Sequence, residues 1–301
     1  MQLIQPERDQ EQTDVVAGFL KNFTVETTPQ GASKISDFRE HLRPGTGVFI
    51  TFLPGSDIGD VVATAIRLRG EGFNPIPHLA ARSIPSKTIL QQALERLTYR
   101  AGLKEVLLIA GSVNKPVGDF SDTMQLLDTG LFEKFNISRI AVAGHPEGSP
   151  DISDEGIRSA LQWKNEFATK TGLNLHIVTQ FCFEARPIID WERRIFSDGN
   201  RLPIYIGIPG LATIKNLLHH AKMCGVGPSM KFLTRQARYM TKLLTLSAPD
   251  ALVLDLAKHC QNNQTSLIRG VHIYPLGGLK QSARWAYGVA DRNSKFNPDL
   301  D

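Results

Sequence analysis

A carboxylate at position 26 stands inside the β-branched run Phe23-Thr24-Val25-Glu26-Thr27-Thr28. Burying it is costly unless it is paired or protonated. In an apolar site its pKa rises, which makes it a proton donor near neutral pH; the other reading is a glutamate on the solvent side of a strand end. A second polar cluster, His145-Pro146-Glu147-Gly148-Ser149-Pro150, follows the apolar run Ile140-Ala141-Val142-Ala143-Gly144. Two prolines bracketing Glu-Gly make a rigid loop rather than a helix start. Such a loop is either a ligand platform or a purely structural turn. His78, in Pro77-His78-Leu79, is a satisfied mouth residue or a ligand contact. Gly111 and Gly277-Gly278 would let backbone amides approach a phosphate, or simply make turns.

Other chemistries are missing. No GxGxxG follows a strand, no GxxxxGK[ST] is present, and no GxSxG elbow or Ser/Cys/His set marks a nucleophile. Cys182, Cys224 and Cys260 have no spacing for zinc or for a disulfide framework, so free thiols in a reducing compartment and no metal are expected. The net charge of +4 comes without a basic block, which argues against nucleic acid while allowing an anionic small molecule. No stretch has the length of a membrane span, and the polar residues Met1 to Asp14 do not read as a signal segment. A cytoplasmic protein is the expectation.

The elements that must position these residues alternate along the chain. Strand-like runs occur at Phe23–Thr28, Gly47–Leu53, Asn74–Leu79, Glu105–Ala110, Arg139–Ala143, Leu175–Gln180, Pro203–Gly207 and Gly270–Tyr274. Between them Ile58, Val61, Val62, Ala65 and Ile66 recur at helical spacing, as do Leu90, Leu94, Leu97 and Ala101. Ser121-Asp122 and Ser247 read as helix starts, and Pro187 suits a first turn. Strand–helix alternation implies a parallel sheet with covered faces. Eight repeats predict an α/β fold, a single (β/α)₈ TIM barrel over residues 1–301, in preference to an open doubly wound sheet. An apolar-faced helix is expected around Val15 to Phe23, with residues 1–14 as a flexible lead. A helical insertion is expected from about Met230 to Cys260, before the last strand. Barrels of this kind carry their chemistry at the carboxyl ends of the strands. Glu26, Thr51, His78, Ser112, His145, Gln180 and Gly277-Gly278 occupy those ends.

The order of these pieces resembles one family from end to end. Val25-Glu26-Thr27-Thr28-Pro29, Pro77-His78-Leu79, His145-Pro146-Glu147-Gly148-Ser149-Pro150, Thr179-Gln180-Phe181-Cys182-Phe183-Glu184, Ile208-Pro209-Gly210 and His272-Ile273-Tyr274 are similar to the motif series of the methylenetetrahydrofolate reductases. The resemblance implies FAD at the carboxyl ends of the strands, a folate substrate, and NADH or NADPH as the usual reductant. It implies that Glu26 is the catalytic acid that protonates the folate, and that Gln180 contacts folate and nicotinamide. Thr51, His78, Ile109, Gly111 and Ser112 would contact the flavin, as would Ala143, His145 and Ser149. Gln162 and Lys164 match, more loosely, a stretch reaching the adenosine end. Members of the family commonly associate, so a homo-oligomer is expected.

The chain also departs from the family. Ala110-Gly111-Ser112 replaces Arg-Gly-Asp after the fourth strand, His145 replaces a tyrosine, Ser149 a histidine, and Thr27-Thr28 a Phe-Phe pair. Losing a negative charge beside a flavin raises its potential. That favours oxidation of methyltetrahydrofolate with a non-nicotinamide acceptor. Two other readings are a folate-binding barrel without redox activity, and a flavin-free methyltransferase barrel, for which no Cys/His metal cluster is present.

Overall fold

The computed structural model describes residues 5–53, 55–223 and 246–292. A helix, Gln5–Leu20, leads into β1 (Thr24–Thr27). There follow β2 (Gly47–Ile50), β3 (Asn74–Ala80), β4 (Glu105–Ile109), β5 (Arg139–Gly144), β6 (Asn174–Thr179) and β7 (Ile204–Pro209). Two short strands, β8 (Ala212–Thr213) and β9 (Leu246–Ser247), pair antiparallel beside the barrel, and β10 (Ile268–Tyr274) is its eighth member. The eight close in the order β1-β10-β7-β6-β5-β4-β3-β2. The expected (β/α)₈ barrel is therefore what the chain forms, and the open sheet is excluded.

The helices follow from spacing and caps. Ile58–Gly70 buries Val61, Val62, Ala65 and Leu68, and Asp57 caps it by accepting from the Gly59 amide at 2.6 Å. Lys87–Ala101 buries Leu90, Leu94 and Leu97, starts at the Ser86 cap, and ends on Gly102 at φ +56°. Asp122 caps Thr123–Leu127 as expected. Ser247 does not cap the helix Asp250–Asn262: it lies in β9, and Pro249 at the N-cap makes no side-chain bond. The first helix begins well before Val15. The expectations for residues 1–4, for Cys224 and for residues 230–245 of the insertion lie outside the described residues. Among the described residues no helix is long and apolar enough to cross a membrane.

The residues group into two compact units. One holds residues 24–144 and 151–178; the other holds the first helix, residues 145–150 and the chain from Thr179 onward. Each has a polar knot near the amino ends of its strands. In the first, Glu105 Oε1 lies 3.1 Å from His176 Nε2, and its Oε2 is 3.3 Å from Arg139. In the second, Glu192, only 3% exposed, accepts from Ser266 Oγ at 2.7 Å and the Leu267 amide at 2.6 Å, with His259 Nε2 2.7 Å away. A buried carboxylate is tolerated because Oε1 accepts two hydrogen bonds and Oε2 has the His259 ring nitrogen beside it.

Candidate active site

In the first unit Glu26 lies on β1 in register with Phe49 on β2, while Val25 pairs with Val48 and Thr27 with Ile50. Partners in a parallel ladder share a face, so alternation separates buried Val25 and Thr27 from half-buried Glu26. Phe49 is 1% exposed and meets the His78 ring edge-on at 5.8 Å. Glu26, Phe49 and His78 thus occupy one face of three adjacent strands.

Thr51 follows β2, and its backbone amide donates to Thr27 O at 2.9 Å. Its Oγ1 is buried with no hydrogen-bond partner among the described residues. A hydroxyl left so carries a desolvation penalty that a bound ligand would relieve. Thr28, at a family aromatic position, has local work: its Oγ1 accepts from the Gly31 amide at 2.8 Å and caps the turn Pro29–Ala32.

The loop after β4 is built around Arg82, which sequence reasoning missed. Arg82 lies in the single turn Ala81–Ser83 that follows β3. Its amide donates to Ala110 O and its carbonyl accepts from the Val117 amide, both at 2.9 Å, while its Nε donates to Ser121 O at 2.9 Å. Gly118 fits against this turn because a Cβ there would stand 1.9 Å from Pro85 O. Gly111 has φ +87°, a conformation that favours glycine. Ile109 and Gly111 are half-buried, and Ser112 is exposed.

The same loop ends at Asp122, whose charge acts on Lys164 of the helix Asp154–Thr171. Lys164 is buried, and that burial pushes its ammonium down to about 8 against the opposing pull of Asp122. Gln162 points elsewhere: it is exposed and donates to Glu166 Oε1 at 3.0 Å. Two helical residues apart is about 200° around the axis, so the two sites expected together sit on different faces. Ala143, on β5, is half-buried.

In the second unit the His145–Pro150 loop is a tight turn, closed by the Gly148 amide donating to His145 O at 3.1 Å, with Gly148 at φ +81°. His145 and Ser149 are half-buried. Burial raises the Cys182 thiol well above its ordinary value, and the charge of Glu147 adds to this, so the thiol stays protonated. Gln180 Oε1 accepts from the Phe181 amide at 3.1 Å, which leaves the Nε2 donors for another acceptor.

Thr179 braces this position. Its Oγ1 accepts from the Gly207 amide at 2.9 Å and donates to Gln180 O at 2.9 Å, and its carbonyl accepts from Tyr274 Oη at 3.0 Å. Gly207 must lack a side chain, since a Cβ would stand 2.4 Å from Thr179 O and 2.7 Å from the Tyr274 ring. Around Gln180, Phe181 meets Tyr274 at 5.2 Å and Phe183 at 5.6 Å. Gly277 has a packing reason, because a Cβ would stand 2.0 Å from Leu211 O.

Fold and residues define a (β/α)₈ barrel, and in each unit polar and glycine positions lie at strand carboxyl ends, where barrels of this kind carry their sites. The family model for methylenetetrahydrofolate reductase matches residues 21–278, and the chain belongs to that family. Methylenetetrahydrofolate reductase 2 of Saccharomyces cerevisiae is 24% identical over 230 residues, covering 72% of this chain. The chain spans 36% of that relative's length. Among solved structures, an uncharacterized protein from Clostridium thermocellum that binds two copies of 5-methyl-5,6,7,8-tetrahydrofolic acid matches with a TM-score of 0.57. It is 13% identical, and the match covers 91% of this chain and 96% of that one.

Proposed function

We propose that the chain is a flavin-dependent oxidoreductase interconverting 5,10-methylenetetrahydrofolate and 5-methyltetrahydrofolate. The observation that carries this reading is the family match over residues 21–278 together with half-buried Glu26 at the family's acid position on the first barrel strand. The folate bound by the Clostridium thermocellum protein suggests the same ligand class here.

The residues of the first unit fit FAD. Thr51 Oγ1 is a buried polar atom in want of a partner, Lys164 is a buried cation suited to the phosphate arm, and the positive φ of Gly111 holds the backbone without a Cβ. When bound, FAD supplies or accepts the hydride.

The chain's own residues do the rest. Reducing the methylene bridge breaks its bond to folate N10, and Glu26 delivers the proton that N10 takes up. In the other direction the Glu26 carboxylate accepts that proton. Gln180, with its oxygen held by Phe181, offers Nε2 to an acceptor on the substrate. The rings of Phe181 and Tyr274 exclude water beside it.

A second reading of direction is favoured by Ala110 and exposed Ser112, which stand where the family has a cation and an anion. Without that anion the flavin is slightly easier to reduce, which shifts the balance toward methyltetrahydrofolate oxidation with a non-nicotinamide acceptor. The same departures motivate a folate-binding barrel without redox activity, which would purify colourless. Anaerobic mixing of flavin-loaded protein with NADH, NADPH or methyltetrahydrofolate in turn, followed by flavin absorbance, tests the set. Bleaching by methyltetrahydrofolate alone supports the oxidative direction, and a protein that takes up no flavin overturns the leading proposal. A single domain, cytoplasmic location and self-association complete the proposal.

A further inference from the structure

We propose that Arg82, with Lys164, forms the seat for the diphosphate of the dinucleotide, and that Arg82 supplies the charge lost at Ala110. This rests on the flavin reading above. Position 110 carries alanine where the family has the arginine expected to hold the phosphate arm. The Arg82 amide donates to Ala110 O at 2.9 Å, so a guanidinium is rooted beside the position that lost one.

Arg82 is held toward the loop after β4, since its Nε donates to Ser121 O at 2.9 Å. Among the described residues no carboxylate pairs with it, which leaves the Nη donors of the guanidinium fork for another acceptor. Lys164 acts at the adjoining residue, Asp122, and is buried without a hydrogen-bond partner among the described residues. Arg82 is thus tied to Ser121 and Lys164 feels the charge of the next residue, Asp122, so both cations belong to the end of one loop. Asp122 is already engaged, because its Oδ1 accepts from the Gln125 amide at 3.0 Å. A diphosphate matches the forked donor of the arginine and the point charge of the lysine. A lysine at position 82 would keep the charge and lose the fork.

The test is a fluorescence titration of the flavin-stripped full chain with FAD and with riboflavin, which lacks phosphate. Arg82→Gln keeps an N–H donor for Ser121 O and removes the charge, so the loop clamp and the anion contact are separated. We expect Arg82→Gln to weaken FAD about tenfold to hundredfold while leaving riboflavin within about twofold. Ala110→Arg added to Arg82→Gln should restore FAD binding. Equal weakening of FAD and riboflavin, or none for FAD, overturns the proposal. Should the wild-type chain take neither flavin, the flavin reading fails, and calorimetry with inorganic pyrophosphate decides the seat separately. Pyrophosphate binding that Arg82→Gln abolishes supports it, and no pyrophosphate binding overturns it. A thermal midpoint measured for each variant shows that the loop has stayed folded.

Discussion

Glu26 stands opposite Phe49 in the parallel register of β1 and β2, so the one acid on the first barrel strand has a fully buried aromatic ring for its neighbour. Glu26→Gln keeps the shape and removes the exchangeable acid. The expected outcome is a loss of about 10²- to 10⁴-fold in the folate half-reaction, with flavin reduction by nicotinamide changed only a few fold. Stopped-flow measurement of the two half-reactions separates them, and equal losses in both would contradict the role.

Gln180 has its carbonyl oxygen fixed by the Phe181 amide, so its amide nitrogen is the group presented. Gln180→Ala removes that donor and should raise the KM for folate about tenfold, the scale of one hydrogen bond. Gln180→Glu presents an acceptor instead and should be worse than alanine. Steady-state kinetics at varied folate checks the order of the two variants.

Lys164 makes stability depend on pH in an unusual sense. Burial lowers its folded pKa from 10.5 to about 8, so between these values the unfolded chain binds more protons than the folded one. Stability therefore rises with pH across that window, and below about pH 8 the full cost of the buried ammonium, about 3 kcal/mol, is present. Lys164→Met should raise Tm at pH 7 by about 5 °C and abolish the gain at alkaline pH, while weakening FAD. Urea denaturation from pH 7 to 10.5 is the measurement; a variant no more stable than wild type at pH 7 would be the contrary result.

Glu192 should matter to folding alone. It accepts from Ser266 Oγ and the Leu267 amide and contacts His259, all near the amino end of β10, the end that stabilises barrels rather than catalyses. Glu192→Ala strands these buried donors and should cost about 3–5 kcal/mol. The activity of the folded fraction should be unchanged, which comparing denaturation midpoints with active-site titration would show.

Ser112→Asp restores the family's anion. Because position 112 is exposed, water screens the charge, and the flavin potential should fall by only about 20 mV, the equivalent of about 1 kcal/mol for two electrons. Spectroelectrochemistry of the loaded protein reads this directly, and a potential unchanged or raised by the substitution would refute the charge argument.

Much of this protein is written locally. The eight strands could be read from β-branched runs, and the helices from spacing such as Val61, Val62, Ala65 and Leu68, because burying one stripe of a helix or both faces of a strand leaves a periodic trace. The motif order around Glu26, His145 and Gln180 was legible for a similar reason, since each motif is contiguous. Closure was read from the number of repeats and not from periodicity: a repeat of strand and helix is the same in an open sheet, and the pairings that complete the ring distinguish them. Arg82 was not legible, since its partners Ala110, Val117 and Ser121 are 28 to 39 residues away. Gly118 and Gly207 read as ordinary glycines until Pro85 O and Thr179 O are seen where a Cβ would go. Periodicity records which side of an element faces the core, whereas which distant atom waits there is decided only when the chain folds.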